Sequence, residues 1–427
     1  MIASWSFPKP ALQPPLDASF RPAALAIQEF LRRVDECQVG VPLIFGLERS
    51  DGSLSRFETR VFPDGHELAG ANLFHAERIL KFLLWQRGGW RVYVGGPSAI
   101  GLHLQSLYRP GGVRGFDAAM LGARIYQMPF TVVPCAADEV PNQEERTEAL
   151  GRHLNGCRIG FDLGASDLKV SAVIDGQAVY SEEIVWEPSI QADPQYHYDL
   201  ITSALRLAAS KLPRLDAIGG SAAGVYVDNK PMAASLFRGI PEDRFDEVRD
   251  MFLRMGAEFG VPLDVINDGD VTALAGSMAL QANGISAGSV LGIAMGSSEA
   301  AGYVDAGGSI TGWLNELAFA PIDYSPTAPP EEWSGDQGVG ALYFSQQCVF
   351  RLAPVVGIEL PVDVTKAEML RSVQEELEAG QPGAVQIWRT MGVYLGYAVA
   401  HYADFYDLKH VLILGRCTSG SGGGLIL

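Results

Sequence analysis

The chain has 427 residues, with 32 Lys+Arg against 50 Asp+Glu and a formal net charge of −18 at pH 7. An apolar share of 48% beside 19% charged residues can build a sizeable core, which excludes general disorder and suggests roughly two to three domains. The acidity speaks against a broad nucleic-acid footprint, and no apolar run approaches the roughly 18 residues of a membrane span.

Residues 1–40 read as a Pro-rich arm, broken by Pro8, Pro10, Pro14 and Pro15, followed by a helix over Pro22–Val34. No charged stretch precedes an apolar run there, so a secretory signal is not expected. The five cysteines, Cys37, Cys135, Cys157, Cys348 and Cys417, are scattered and form no CxxC pair. Neither a disulfide framework nor a Cys-rich zinc site is expected, and the chain reads as soluble, reduced and cytoplasmic. Two strands then turn at Ser50-Asp51-Gly52, a hairpin signal. A helix over Phe74–Gln86, a strand WRVYVGG, a helix over Phe116–Tyr126 and a strand PFTVVP complete a small α/β unit over 41–135. It is read as an accessory or oligomerisation domain, with a homodimer as one option. The polar stretch 136–156 is the expected linker.

A second alternation starts at CRIGFDLG, a buried-strand pattern, and continues as a hairpin turning at Asp175-Gly176. Helices are expected over Tyr198–Leu212, Phe245–Phe259 and Val271–Gln281, with strands in LDAIGGSAAGVYV, PLDVIND and SVLGIAMGSS. Helices at 339–352 and 365–379, a long one over Ala384–Tyr406 and a strand HVLILG lead to a Gly-rich end. His75, His103, His401 and His410 read as packing or surface residues, and Tyr402, Phe405 and Tyr406 as helix core.

Apolar strands here end repeatedly in turns of Gly, Ser or Asp. They occur at 162–167, Gly219-Gly220-Ser221, Asn267-Asp268-Gly269, Gly296-Ser297-Ser298 and Gly415. In open α/β sheets ligands bind beyond the carboxyl ends of strands, where small residues let backbone N–H groups approach phosphate oxygens. One such turn is usually structural. Five in one chain, two of them with an acid at the strand end, point to phosphate handling. Asp162 lies inside an apolar strand, where a carboxylate is costly unless paired or metal-bound. Gly164, Ala165 and Ser166 offer a compact loop and Lys169 a positive charge. A hairpin whose Asp caps its own turn explains the same residues equally well. For Asp268, capping of the following helix is the competing role.

The segment Asp162-Leu163-Gly164-Ala165-Ser166-Asp167-Leu168-Lys169 resembles the phosphate-1 pattern of the ROK family (repressor, open reading frame, kinase), roughly Asp-x-Gly-Gly-Thr-x-x-Lys. That family lies within the hexokinase, actin and chaperone-ATPase superfamily. Val265-Ile266-Asn267-Asp268-Gly269-Asp270 resembles the segment of its catalytic Asp, and Gly292–Ser298 its phosphate-2 segment. Gly312-Trp313-Leu314-Asn315-Glu316 resembles its sugar-contacting segment, and Leu412-Ile413-Leu414-Gly415 the start of its adenosine segment. The likeness covers about 157–427.

The resemblance implies an α/β fold of two actin-like (ribonuclease H-like) lobes flanking a cleft, over 157–275 and 276–427, with the additional N-terminal α/β unit. It implies ATP-dependent phosphorylation of a sugar hydroxyl. Asp268 would be the general base, Asn267 would orient the hydroxyl and Glu316 would bind the sugar. Asp162 would hold Mg²⁺ with ATP, and Gly164, Ala165, Ser166, Lys169, Gly296, Ser297, Ser298 and Gly415 would hold the nucleotide. The expected partners are a small sugar and a nucleotide, with neither nucleic acid nor membrane.

The chain departs from the pattern in places. Phe319 stands near the family's His, only Cys348 follows where kinases carry a zinc motif, and Glu299 replaces a small or apolar residue of phosphate-2. An acid facing a γ-phosphate would repel it. These departures motivate an alternative, a non-catalytic sugar or nucleotide sensor on the same fold. No helix-turn-helix precedes phosphate-1, which disfavours a DNA-binding repressor. The chain ends at Leu427, where the family's adenosine helix would begin, and is read as an incomplete second lobe.

Overall fold

The computed structural model describes residues 7–148, 154–164 and 166–427. Ala165 and residues 149–153 of the expected linker lie outside the described residues. The chain forms two compact units, one of Met1–Glu148 with Ser286–Leu427, the other of Ala149–Ile285.

The first unit opens with α1 (Ala23–Glu36), β1 (Val41–Glu48), β2 (Leu54–Val61), α2 (Gly70–Arg87) and β3 (Arg91–Gly95). Then come α3 (Ser98–Leu107), α4 (Gly115–Ala119), β4 (Thr131–Cys135) and the two-residue β5 (Thr147–Glu148). The strands β2-β1-β3-β4 make one sheet, with β1 and β2 antiparallel and β3 and β4 parallel. The hairpin turns where expected, with Gly52 at φ 82° and the Asp51 carboxylate accepting the Ser53 N–H at 2.9 Å. The expected helix over Phe116–Tyr126 begins as α4 and continues as a π-helical turn over Met120–Tyr126.

The second unit holds β6 (Cys157–Leu163), β7 (Asp167–Ile174), β8 (Gln177–Val185), α5 (Pro194–Ala209), β9 (Ala217–Ala222), β10 (Val225–Val227) and β11 (Lys230–Ala233). It closes with α6 (Phe245–Arg249), α7 (Met251–Phe259), β12 (Leu263–Asn267) and α8 (Asp268–Ala282). Its sheet runs β12-β9-β6-β7-β8. The meander β6–β7–β8 is antiparallel, and β9 and β12 run parallel to β6. Alternation along β6 sends Ile159, Phe161 and Leu163 into a core with Ile201, Leu205, Phe252 and Met255. The intervening positions carry Gly160 and Asp162 on the other face. The glycine pair read as a turn lies inside β9 instead. A Cβ on Gly220 would come 2.2 Å from the Phe161 ring, so the glycine makes room for a core side chain.

The remaining elements return to the first unit. They are β13 (Val290–Met295), β14 (Glu299–Val304), β15 (Ile310–Thr311), α9 (Gln346–Leu352), α10 (Lys366–Glu378), α11 (Pro382–Tyr402), β16 (His410–Leu414) and α12 (Gly422–Ile426). The sheet order is β16-β13-β14-β15-β5. In both units the leading strand, β6 or β13, pairs antiparallel with the next strand and parallel with one reached after a helix. This repeated pattern is that of a ribonuclease H-like sheet.

The N-terminal residues expected as a separate accessory unit share one compact unit with 286–427. Thr147 on β5 pairs with Thr311 on β15, and the Gln86 amide donates to the Phe405 carbonyl at 3.0 Å. Lys81, with no exposed side-chain surface, contacts Asp117 at 2.8 Å and also Asp336. Arg114 joins Asp336 to Glu77, and Glu77 pairs with Arg78. Three cations thus meet three carboxylates within the unit, and the 331–338 segment is tied to α2 and α4. Among the described residues no helix is long and apolar enough to cross a membrane.

Candidate functional site

Asp162 sits near the end of β6, half-buried, with Lys169 of β7 and Ser221 of β9 as its neighbours in register. Residues paired across strands share a face, so the three lie side by side on one face of the sheet. Among the described residues no hydrogen bond reaches the Asp162 carboxylate. Lys169 places its ammonium on Asp167 Oδ1 at 2.9 Å. Its pKa is raised, first by that hydrogen bond and further by the charges of Asp167, Asp162 and Glu183.

The turn between β6 and β7 is closed on itself. The Gly164 N–H donates to the Asp167 carbonyl at 2.9 Å, and the exposed Ser166 hydroxyl to Asp167 Oδ2 at 3.2 Å. Trp186 donates its indole N–H to the Gly164 carbonyl at 2.9 Å. The phosphate-loop reading leaves the Gly164 N–H and the Lys169 ammonium free for a ligand. Here Asp167 engages both.

β12 ends at Asn267 and α8 begins at Asp268, three residues earlier than expected. Asn267 is the cap. Its Oδ1 accepts the Gly269 N–H at 2.6 Å, and its amide donates to the Gly224 carbonyl at 2.7 Å. The capping role weighed for Asp268 therefore falls to its neighbour, and both ends of the Asn267 amide are engaged. Asp268 occupies the first helical position, where the helix dipole favours a negative charge. Its carboxyl is nevertheless raised above the usual Asp range, first by burial and then by the charge of Asp162, with the Gly269 N–H opposing. The acids read from separate motifs are thus electrostatic neighbours within the second unit.

Sequence reading missed Tyr226. Its phenol is raised by burial and by the charge of Asp268, and its buried hydroxyl has no hydrogen-bond partner among the described residues. The stretch VYVDN carries no signal beyond strand propensity, so nothing in the sequence marks it.

The first unit gathers the other candidates. Gly296, Ser297 and Ser298 form the β13–β14 turn, closed by the Gly296 N–H on the Ser298 carbonyl at 3.1 Å, and both serines are exposed. A Cβ on Gly296 would meet nothing nearer than 3.8 Å, so the space beside the turn is open. Gly415 follows β16, which runs parallel to β13. It has φ 102°, and a Cβ there would come 2.6 Å from the Met295 carbonyl, so the two turns touch through glycine alone.

Glu299 follows this turn directly but points inward, with 3% of its surface exposed. One oxygen accepts the Tyr402 phenol at 3.4 Å, and the other has no partner among the described residues. Burial pushes its carboxyl up to about 8, with the Tyr402 hydrogen bond opposing and the charge of Glu316 adding. It therefore carries a proton near neutrality and faces the interior rather than the turn. Glu316 is half-buried, its backbone N–H held by the Trp85 carbonyl at 2.9 Å. Phe319 packs on Trp85, with ring centres 4.4 Å apart. Cys348 is buried in α9.

No family model matches the chain, and no curated protein matches it. Solved structures similar to it include a ROK hexokinase from Thermus thermophilus, at 16% identity and TM-score 0.49, covering 63% of this chain and 85% of that one. A ROK family glucokinase from Streptomyces griseus, in complex with glucose and AMPPNP, is similar at 20% identity and TM-score 0.46, with 64% and 86% covered. A ROK family transcriptional regulator, a homologue of the E. coli MLC protein, is similar at 16% identity and TM-score 0.46, with 61% and 65% covered. At these identities each is a likeness and assigns no activity.

Proposed function

We propose that this chain transfers the terminal phosphoryl group of ATP to a sugar hydroxyl, with Asp268 as general base. The observation that supports this most is the pairing of a raised Asp268 carboxyl with the Asp162 charge at the end of one sheet. A sugar hydroxyl is a weak nucleophile at neutral pH. Asp268 accepts its proton as the oxygen attacks phosphorus, and a carboxyl raised toward the working pH is better matched to that exchange. Asn267, rigidly held as the cap, fixes the backbone from which Asp268 projects.

Asp162 fits a magnesium ion, being a hard oxygen donor with no hydrogen bond from the described residues. No cluster of three or more His, Cys, Asp or Glu among the described residues could hold a metal, so phosphate oxygens and water would complete such a shell. When bound, the ion supplies charge neutralisation for the triphosphate. Gly296, Ser297 and Ser298 offer an open turn for phosphate oxygens, Gly415, packed on the Met295 backbone, would set the end of β16 toward the nucleotide, and Glu316 offers an acceptor for a sugar hydroxyl. Glu299, neutral and turned inward, does not oppose phosphate binding.

A second reading, a non-catalytic sugar or nucleotide sensor, is favoured by the closed β6–β7 turn, where Asp167 occupies Lys169 and the Gly164 N–H. A coupled assay of ADP release with full-length protein, ATP and magnesium across a sugar panel separates the two. Sugar-dependent turnover that disappears in Asp268→Asn supports the kinase. Turnover without sugar, or turnover untouched in Asp268→Asn, rejects it. Calorimetric binding of sugar or AMPPNP without turnover supports the sensor.

A further inference from the structure

The Gly296 and Gly415 turns come together at one end of the first unit's sheet. β13 and β16 run parallel, with Leu414 opposite Ala294 and Gly415 packed on the Met295 backbone. Arg416 and the Gly296–Ser298 turn therefore leave the sheet side by side, and Arg416, Ser297 and Ser298 are all exposed.

Around this point the protein uses up its own acceptors. The Gly296 carbonyl takes the Gln346 N–H at 3.0 Å, and the Ser298 carbonyl the Gly296 N–H at 3.1 Å. The Gly415 carbonyl takes the Thr418 N–H at 3.0 Å and hydroxyl at 2.8 Å. The Arg416 carbonyl takes the Gln374 amide at 2.7 Å, and the Cys417 carbonyl the Trp388 indole at 2.8 Å. Donors are left over instead. The N–H and hydroxyl groups of Ser297 and Ser298 have no acceptor among the described residues, and neither has the Arg416 guanidinium. Glu378, on the helix that supplies Gln374, is engaged elsewhere: its two oxygens hold the Ser421 N–H at 2.6 Å and hydroxyl at 2.8 Å.

A ligand at this end of the sheet meets donors and a positive charge, so it has to supply acceptors and a negative one. A guanidinium binds two phosphate oxygens at once, and such charge-assisted pairs are short and strong. A free cation matters in this chain, because a net charge of −18 repels a polyanion and Lys169 is held on Asp167.

We propose that Arg416 is a phosphate-binding residue, its guanidinium pairing with oxygens of a triphosphate that rests on the Gly296–Ser298 turn. The inference rests on the reading of that turn as a phosphate seat and adds the cation that the reading lacked. The bonds from Gln374 and Trp388 fix the backbone from which Arg416 projects, and its side chain is left to meet the ligand.

Calorimetry of the full-length chain with AMPPNP and magnesium tests it, with circular dichroism as the check on folding. Arg416→Gln is expected to weaken AMPPNP binding at least about tenfold, the loss of one charge-assisted contact. Arg416→Lys keeps the charge without the fork and recovers part of that loss. Arg109→Gln, at an exposed position before α4, changes nothing. The affinity of Arg416→Gln also falls less steeply with added salt than that of the natural chain, because one ion pair is missing. Unchanged affinity in Arg416→Gln, or a loss with the natural salt dependence, overturns the assignment and leaves the phosphate reading of the turn standing. Absence of AMPPNP binding by the natural chain overturns both.

Discussion

The charge of Asp162 helps hold the Asp268 carboxyl above the ordinary Asp range, although the two residues come from different motifs. A raised acid binds its proton more tightly in the folded state. Its contribution is therefore fully present below the unfolded Asp pKa and is lost as pH rises through the folded value. Asp162→Asn removes the like charge and lowers the Asp268 pKa. Carbon-13 NMR titration of the Asp268 carboxyl in the two proteins checks this, and an unmoved titration would break the link on which the proposed base depends.

Asn267 caps α8 and bridges to Gly224, so Asn267→Ala removes one helix cap and one half-buried amide donor. The expected loss is about 1–2 kcal/mol in urea unfolding. Asn267→Asp keeps the cap acceptor but loses the donor, and its cost is smaller. Asp268→Asn keeps the cap and relieves repulsion from Asp162, so its stability matches or exceeds that of the natural chain while sugar-dependent turnover falls by about 10²-fold or more. This separation of stability from activity distinguishes a base from a structural acid.

Burial raises the Glu299 carboxyl to about 8, against 4.5 for a free Glu side chain. Between those values the folded state holds a proton that the unfolded chain has lost. Stability from this group is complete below the lower value and declines as pH rises through the upper one, at roughly 1 kcal/mol per pH unit in the steep region. Glu299→Gln keeps shape and hydrogen bonding without titrating. Its stability advantage over the natural chain is expected to grow from pH 5 to pH 9 in chemical denaturation. A constant difference would mean that Glu299 is ionised in the folded protein.

Much of the second unit was legible because β6, the β7–β8 hairpin at Asp175-Gly176 and β12 follow strand patterns with turn residues at their ends. Motif order led to Asp162 and Asp268, but not to the division of labour around them. Which neighbour caps a helix depends on one residue of offset, and Asn267 and Asp268 are both good caps. The glycines of β9 misled for a different reason. Their identity answers a long-range need, space for Phe161, and local chemistry cannot tell that from a turn. Glu299 was read against the turn it follows, whereas strand alternation sends its side chain toward Tyr402. The union of 41–135 with 286–427 rests on charges such as Lys81 and Asp336, which lie 255 positions apart and carry no periodic signal.

Gly220→Ala places a methyl group against the Phe161 ring, at a distance no side chain tolerates. The strand or the ring has to shift, at an expected cost of about 1–3 kcal/mol. Phe161→Leu frees that space and in the double variant recovers part of the loss. A double-mutant cycle in urea reads the coupling directly, and additive losses would show that Gly220 is small for another reason.

Lys81 is enclosed by Asp117 and Asp336, with Arg114 and Glu77 beyond them. Lys81→Met leaves two buried carboxylates sharing one remaining cation. Removing one partner of a buried ionic cluster typically costs about 3–5 kcal/mol, because the stranded charge has lost its hydration without compensation. The damage has a direction. Asp336 belongs to the 331–338 segment and Lys81 to α2, so this segment should loosen before the β13–β16 sheet does. Hydrogen exchange is expected to rise first in 331–338 and in α4, where Asp117 also receives the Trp85 indole at 2.8 Å. Replacing Lys81 and Asp117 together by apolar residues of similar volume leaves two cations with two carboxylates and is expected to recover part of the stability. Uniform exchange across the unit in Lys81→Met would instead make the cluster one contact among many rather than the tie between the N-terminal residues and the remainder of their unit.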